Sequence, residues 1–121
     1  MTECVVKDGT LVIAHMQTAR TFAARGRGLL GRRRLPVQTA LHIVPCGSIH
    51  TWWMLFALDV VFLDRNRTVI RIVRDVRPFR FVLGGRGAHS VLEMSAGWLA
   101  PDALRVGERL AFETATAHLA H

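Results

Sequence analysis

The chain has 121 residues, of which 50% are hydrophobic and 21% charged. This length and composition fit one globular domain and exclude a disordered or fibrous protein. Sixteen Lys and Arg residues against nine Asp and Glu give a net charge of +7, and Cys4 and Cys46 are too few for the disulfide framework of a small secreted scaffold.

The positive charge is concentrated in one segment. No acid occurs between Gly9 and Leu58, whereas six arginines lie in the Arg20–Arg34 segment. A basic surface of this kind attracts nucleic acid, anionic lipid head groups or an acidic partner. An ordinary solvated face is the competing interpretation.

The sequence shows no signal peptide and no membrane span. Met1–Asp8 lacks a basic region followed by an apolar one. Leu35–Leu58 is free of Asp, Glu, Lys and Arg, but its prolines and histidines do not suit a lipid-exposed helix. We therefore expect no transmembrane segment and a cytoplasmic location.

The first half of the chain is predicted to contain a hairpin, a helix and a strand. Lys7–Thr10, with Asp-Gly at its centre, predicts a tight turn between two short strands. Thr18 or Thr21 is a candidate cap for a helix that runs to Leu30. A strand is expected at Leu41–Val44, and Pro45 closes it.

The second half is predicted to be mostly strand. Leu58–Val76 is predicted to form a hairpin because its apolar runs are rich in Val and Ile. Further strands are predicted at Ser90–Met94 and Arg109–Glu113. A short helical turn is expected near Asp102. Together these elements predict a single domain over residues 1–121 of the α+β class, a small β-rich fold with a curled sheet or barrel and short helices.

Several motifs in a fixed order resemble one known family. They are RGRGLLGR at 25–32, CGSIHTWWM at 46–54, LDVVFLD at 58–64, VLEMSAG at 91–97 and VGERL at 106–110. Over roughly residues 10–113 this pattern is similar to the bacterial and archaeal family called domain of unknown function 192. The resemblance implies a compact β-rich domain with short helices and brings no biochemical activity. Many members of that family look exported, whereas we expect no export leader at the start of this chain.

Two acids lie within apolar runs and are candidate site residues. Asp59 directly precedes a buried strand, and Glu93 lies inside Val91–Met94. A buried carboxylate is costly unless it is paired or hydrogen-bonded. Each is therefore a candidate base or ligand anchor, or else a structural group that accepts backbone N–H bonds or pairs with an arginine such as Arg25.

These acids suggest a pocket with neighbouring polar and basic residues. The candidate ligand-binding set is Arg25, Arg27, His50, Met54, Asp59 and Glu93. Our leading hypothesis is a non-enzymatic accessory domain that binds a small molecule or a protein. A hydrolase that uses His50 with Asp59 or Glu93 is the first alternative. Nonspecific nucleic-acid binding through Arg20–Arg34 is the second.

His42, Cys46 and His50 are spaced four apart, which raises the possibility of a zinc site or a Cys–His nucleophile. Proline and glycine interrupt the run and no fourth ligand is evident, so a buried thiol with two ordinary histidines is preferred. We expect neither a metal nor another cofactor. In the aromatic run that begins at Trp52, one ring is expected to pack inward and the other to line a groove or the surface.

Overall fold

The computed structural model describes residues 3–21, 34–52 and 54–114. Regular structure in this part of the chain consists of nine strands. They are β1 Glu3–Lys7, β2 Thr10–Ala19, β3 Thr39–Ile43, β4 Ser48–His50, β5 Leu58–Leu63, β6 Val69–Val76, β7 Phe81–Leu83, β8 Ser90–Ser95 and β9 Ala111–Thr114.

Seven strands form one open sheet, the main sheet, in the order β6-β5-β8-β3-β2-β1-β9. Its pairs are antiparallel except for β2 and β3, which run parallel. Strands β4 and β7 pair with each other antiparallel and form a separate small sheet.

The predicted α+β class is wrong. The described residues contain strands and turns but no helix, and the main sheet is open rather than closed into a barrel. Thr18, one of the two proposed helix caps, lies in β2, because pairing with β3 extends that strand through Ala19. Thr21, the other, lies in a bend after this strand. The remainder of the predicted helix, 22–30, lies outside the described residues. Asp102 lies in a turn instead of a helical turn.

The predicted hairpins are confirmed. Asp8 and Gly9 adopt φ values of 49° and 78°, the left-handed backbone that a two-residue turn with the natural twist requires. β5 and β6 pair as the predicted second hairpin. β5 is buried at all six positions. Because successive side chains of a strand point to opposite faces, its run of consecutive apolar residues indicates a strand that is covered on both faces.

Each face of the main sheet carries its own hydrophobic cluster. The Met16 cluster includes Val61, Leu92 and Met94, and the Phe62 cluster on the other face includes Val60 and Val91. The small sheet belongs to the second cluster, because its inward residues Ile49 and Val82 are members. The small sheet therefore packs over the Phe62 face of the main sheet.

Gly84, directly after β7, allows this close packing. A Cβ atom built there would lie 2.5 Å from a ring carbon of Phe62 and 2.6 Å from the Cβ of Ala88. Both distances are far below van der Waals contact, and Phe62 is fully buried. The backbone N–H of Gly84 also donates to the carbonyl of Gly47, at the start of β4. A residue without a side chain thus joins the two sheets.

Candidate functional site

The Asp59 carboxylate, on β5, accepts hydrogen bonds from β6 and from the turn after β8. It is 2% exposed. Its Oδ1 accepts the backbone N–H of Asp75 at 2.9 Å, and its Oδ2 accepts that of Gly97 at 3.1 Å. Arg74 Nη1 lies 3.6 Å from Oδ2 and also donates to the carbonyl of Leu99 at 2.7 Å. These contacts offset the cost of burying the charge.

A bulge in β6 explains why an acid is needed at this position. Leu58 is opposite Val76 and Val60 is opposite Val73, so β6 carries one more residue than β5 in this interval. Asp75 has a φ of 55° there, and a bulge leaves a backbone group without a ladder partner. Asp59 supplies that partner, which favours the structural interpretation of this residue.

The Glu93 carboxyl lies in an apolar setting. It is 7% exposed, and its direct cross-strand neighbours are Val60 on β5 and Leu41 on β3. Among the described residues it forms no hydrogen bond and no ion pair. Burial raises the pKa of Glu93 from 4.5 to about 7, because the apolar surroundings disfavour the charged form.

The structure does not bring the candidate residues together. Asp59 is opposite Met94 and Glu93 is opposite Val60, so the two carboxyls point to opposite faces of the main sheet. His50 lies on β4 with its side chain exposed, on the outer side of the small sheet. Met54 is buried in the Phe62 cluster. The two candidate arginines, at 25 and 27, lie outside the described residues.

The surface around His50 is unusually apolar. We call the outer side of the small sheet, with the residues at its end, the aromatic face; it consists of His50, Trp52, Phe79, Phe81 and Leu83. His50 is directly opposite Phe81 in the ladder. The His50 and Trp52 rings meet edge to face at 5.9 Å between centroids, and Trp52 and Phe79 do so at 6.3 Å.

The large side chains of this face are open to solvent. Their exposed fractions are 41% for Trp52, 54% for Phe79, 61% for Phe81 and 57% for Leu83. Phe81 and Leu83 are two residues apart on one strand and therefore adjacent on one side of it, while Val82 between them points into the core. The ring contacts extend this surface without a break to Phe79. Contiguous exposed apolar side chains mark interaction sites.

Arginines lie at both ends of the aromatic face. Arg71 donates a hydrogen bond to the carbonyl of Leu83 at one end, and the Arg80 guanidinium lies 3.5 Å from the Phe79 carbonyl oxygen at the other. Arg77 is exposed near the latter end, where it pairs with Asp75 at 3.5 Å. β4 and β7 come from two acid-free stretches, 9–58 and 76–92. Arginines therefore lie next to both ends of the face, and Asp75 is an acidic neighbour of Arg77 at one of them.

Sequence reasoning identified His50 and an exposed tryptophan but missed the β7 half of this face. The local signal was incomplete: in the run Phe79 to Leu83 every residue except Arg80 is apolar, so no alternation of polar and apolar residues tells which side of the strand is buried. Which side of the strand is buried was decided by the packing of Val82 on the Phe62 cluster.

The possible metal ligands are dispersed. His42 is buried on β3, where its Nδ1 lies 3.3 Å from the Thr18 hydroxyl, while His50 is at the surface. The Cys46 thiol donates to the Ser48 carbonyl. Within residues 3–21, 34–52 and 54–114, no three His, Cys, Asp or Glu side chains are placed to hold a metal ion.

An open cleft of about 960 Å³ lies beside the turn that follows β8. Leu35, Phe56 and Trp98 line it, together with residues 95–97. His50, Met54, Asp59 and Glu93 do not contribute to its walls. The basic stretch 22–33 adjoins Arg34 in sequence but lies outside the described residues, so the predicted basic surface is not located by the structure.

The described residues form an all-β domain whose exposed aromatic face has arginines at both ends. No helix in the described part of the chain has the length and apolar character needed to cross a membrane. Residues 4–112 match the model of DUF192, described as "Uncharacterized ACR, COG1430". The chain belongs to this family, which confirms the predicted resemblance.

Similar proteins come from archaea and bacteria. A UPF0127 protein of Thermococcus sibiricus is 31% identical over 113 residues, 87% of this chain and 70% of that protein. Another, from Pyrococcus furiosus, is 29% identical over 87% of this chain and 92% of its own length. These relatives support a family of unknown function.

Two solved structures share the fold. A protein of unknown function from Novosphingobium aromaticivorans has a TM-score of 0.78 at 20% identity, over 92% of this chain and 84% of that one. A putative transcription regulator from Sinorhizobium meliloti has a TM-score of 0.76 at 17% identity, over 91% of each chain. At these identities the likeness concerns the fold alone.

Proposed function

We propose that this protein is a non-enzymatic binding domain that recognises an anionic partner through the aromatic face. The observation that carries the proposal is the unbroken exposed row from Leu83 through Phe81 and His50 to Phe79, with arginines at both ends. Apolar side chains supply affinity on release of water, and the arginines supply attraction and selectivity for negative charge.

The geometry favours binding over the hydrolase alternative. A pair of carboxyls that acts as acid and base must reach one substrate atom, directly or through one water. Asp59 and Glu93 are separated by the sheet, and the oxygens of Asp59 already accept two backbone N–H groups. His50 is on the outer side of the small sheet, whereas Glu93 faces the Phe62 cluster beneath it.

Amide chemical-shift mapping with three anionic probes tests this function. The probes are a single-stranded oligonucleotide, a polyglutamate peptide and phosphatidylglycerol bicelles. The oligonucleotide also tests the hypothesis of nucleic-acid binding. The structurally similar protein of Sinorhizobium meliloti is described as a putative transcription regulator. At low salt we expect at least one probe to shift the amides of β4 and β7, and about 0.5 M salt to weaken that effect.

A matched pair of variants makes the mapping decisive. Phe81→Ser removes an exposed apolar side chain from the aromatic face, and Val106→Ser removes one of similar exposure, 63%, from the turn before β9. The proposal requires that only the first weakens the response. Shifts confined to other surfaces, equal effects of the two variants, or no response to any probe contradict it.

A further inference from the structure

We infer that the anionic partner of the aromatic face is the surface of a lipid bilayer, so that this domain docks on membranes as a peripheral protein. The inference rests on the proposed function and names the partner class. Its basis is the combination of Phe81 and Leu83 on the outer side of the small sheet, Trp52 and Phe79 at its end, and arginines at both ends of this row.

The apolar part of the face has the chemistry of a membrane interface. Trp side chains favour the level of the lipid head groups, and Phe and Leu enter the boundary of the acyl chains. Trp52, Phe81 and Leu83 each expose two fifths or more of their surface. Ile49 on β4 and Val82 on β7 pack into the Phe62 cluster, so the small sheet that carries Phe81 and Leu83 is fixed to the core.

The charges complement a bilayer that contains acidic lipids. Arg71 and Arg80 lie at opposite ends of the apolar row, within reach of phosphates that surround an inserted side chain. Arg86 is exposed in the turn directly after β7. A cationic residue near an anionic leaflet adds favourable energy that falls off within a Debye length. A second copy of this chain would instead bring like charges together.

The ring geometry favours lipid over single-stranded nucleic acid. The planes of the His50 and Trp52 rings differ by 89°, and those of Trp52 and Phe79 by 64°. A platform for successive bases presents ring faces side by side. These rings instead meet edge to face, so they do not offer parallel surfaces to successive bases. Leu83, at the end of the row, has no ring on which a base could stack.

The backbone of Phe79 is strained at this exposed position, where its N–H donates to the carbonyl of Thr51. Its φ of 63° lies in the left-handed region, which a bulky residue rarely adopts. The side chain is also more than half exposed, so burial compensates little of this strain. Backbone strain of this kind is more common at functional sites than elsewhere in proteins.

Co-sedimentation with vesicles tests the inference. The full chain is mixed with vesicles of phosphatidylcholine alone or of phosphatidylcholine and phosphatidylglycerol in equal amounts. We expect binding to the anionic vesicles to be at least about tenfold tighter, and to weaken steeply in about 0.5 M salt. Phe81→Ser should lower the partition coefficient roughly tenfold, while Val106→Ser leaves it within about twofold.

Two further variants separate docking from folding and from net charge. Phe79→Asn suits the left-handed backbone, so it keeps the domain folded and should still reduce vesicle binding several-fold. Arg80→Gln should weaken binding about fivefold, whereas Arg65→Gln, in the turn between β5 and β6, removes the same charge elsewhere with less than about a twofold effect.

The outcomes distinguish this inference from the proposed function. No binding to anionic vesicles, equal binding to neutral ones, or equal effects of the paired variants overturns the lipid inference. If the oligonucleotide or the acidic peptide then still shifts the amides of β4 and β7, the proposed binding function stands with a different partner. If no probe does so, both fall.

Discussion

Asp59 and Glu93 occupy neighbouring rungs of the β5–β8 ladder and point to opposite faces of the main sheet. The register places Asp59 opposite Met94 and Glu93 opposite Val60, and successive side chains of a strand alternate between faces. The two buried acids therefore have separate environments: one accepts N–H groups at a bulge and a turn, and the other lies among apolar residues. Each gives a different prediction.

Asp59→Asn should destabilise the domain by about 2–4 kcal/mol. The amide keeps one acceptor for the N–H of Asp75, but its NH₂ group faces the N–H of Gly97, and Arg74 loses its partner. Urea unfolding measures the difference. Asp75→Asn is the control, because Asp75 is exposed and Asn accepts its φ of 55°; its effect should stay within about 0.5 kcal/mol. Equal losses of unfolding free energy in the two variants would show that the hydrogen bonds accepted by Asp59 do not stabilise the fold.

Glu93→Gln should change the pH dependence of stability. Relative to the wild type, the free energy of unfolding of this variant should be higher at pH 8 than it is at pH 4.5. Between pH 4.5 and about 7 the folded protein holds a proton on Glu93 that the unfolded chain has released. The free energy of unfolding of the wild type therefore falls as the pH rises through this range. We expect the difference between variant and wild type to grow by about 1–3 kcal/mol. A difference that is constant with pH would show that Glu93 titrates normally.

His42 gives the free energy of unfolding the opposite dependence on pH. Burial, followed by the charge of Arg67, lowers the pKa of His42 from 6.5 to about 4. The unfolded chain binds this proton first, so the stability contributed by neutral His42 is present above pH 6.5 and lost as the pH falls towards 4. His42→Leu removes this loss, and its stability relative to the wild type should rise by about 1–3 kcal/mol from pH 7 to pH 4.5. Unfolding in urea across this range is the measurement.

Gly84→Ala should destabilise the domain by about 1–3 kcal/mol, because the new methyl group would overlap the Phe62 ring and Ala88. Gly47→Ala is the matched control: its new Cβ meets only the Ala88 carbonyl oxygen, at 3.6 Å. Thermal unfolding of both variants measures the cost. Comparable melting temperatures for the two would mean that the small sheet moves away from Phe62 without penalty.

Phe79→Asn should stabilise the domain by about 0.5–1 kcal/mol, because Asn tolerates the left-handed backbone that Phe adopts at a cost. The loss of the edge-to-face contact with Trp52 opposes this gain in part. Urea unfolding of Phe79→Asn beside Phe81→Ser, which has no such backbone strain, isolates the effect. A clear destabilisation would show that the Phe79 ring supports the fold.

Local sequence signals located most strands but misjudged the fold class. The Asp8-Gly9 turn and the apolar run of β5 depend on near neighbours in the chain, and both were predicted. β2 was predicted too short, since its last residues, Gln17 to Ala19, are placed in a strand by parallel pairing with β3, which comes 24 residues later in the chain. The polar–apolar alternation of His15, Met16 and Gln17 was the available signal.

By itself, the sequence determined the family, the excess of positive charge, the two hairpins and the presence of acids in apolar strands, because each depends on composition or on residues close in the chain. Only the tertiary structure decided which residues meet. The register of β5 against β8 sent Asp59 and Glu93 to different faces, and the pairing of β4 with β7 placed His50 beside Phe81. Such contacts depend on the pairing of distant strands, where a shift of one residue reverses every side chain.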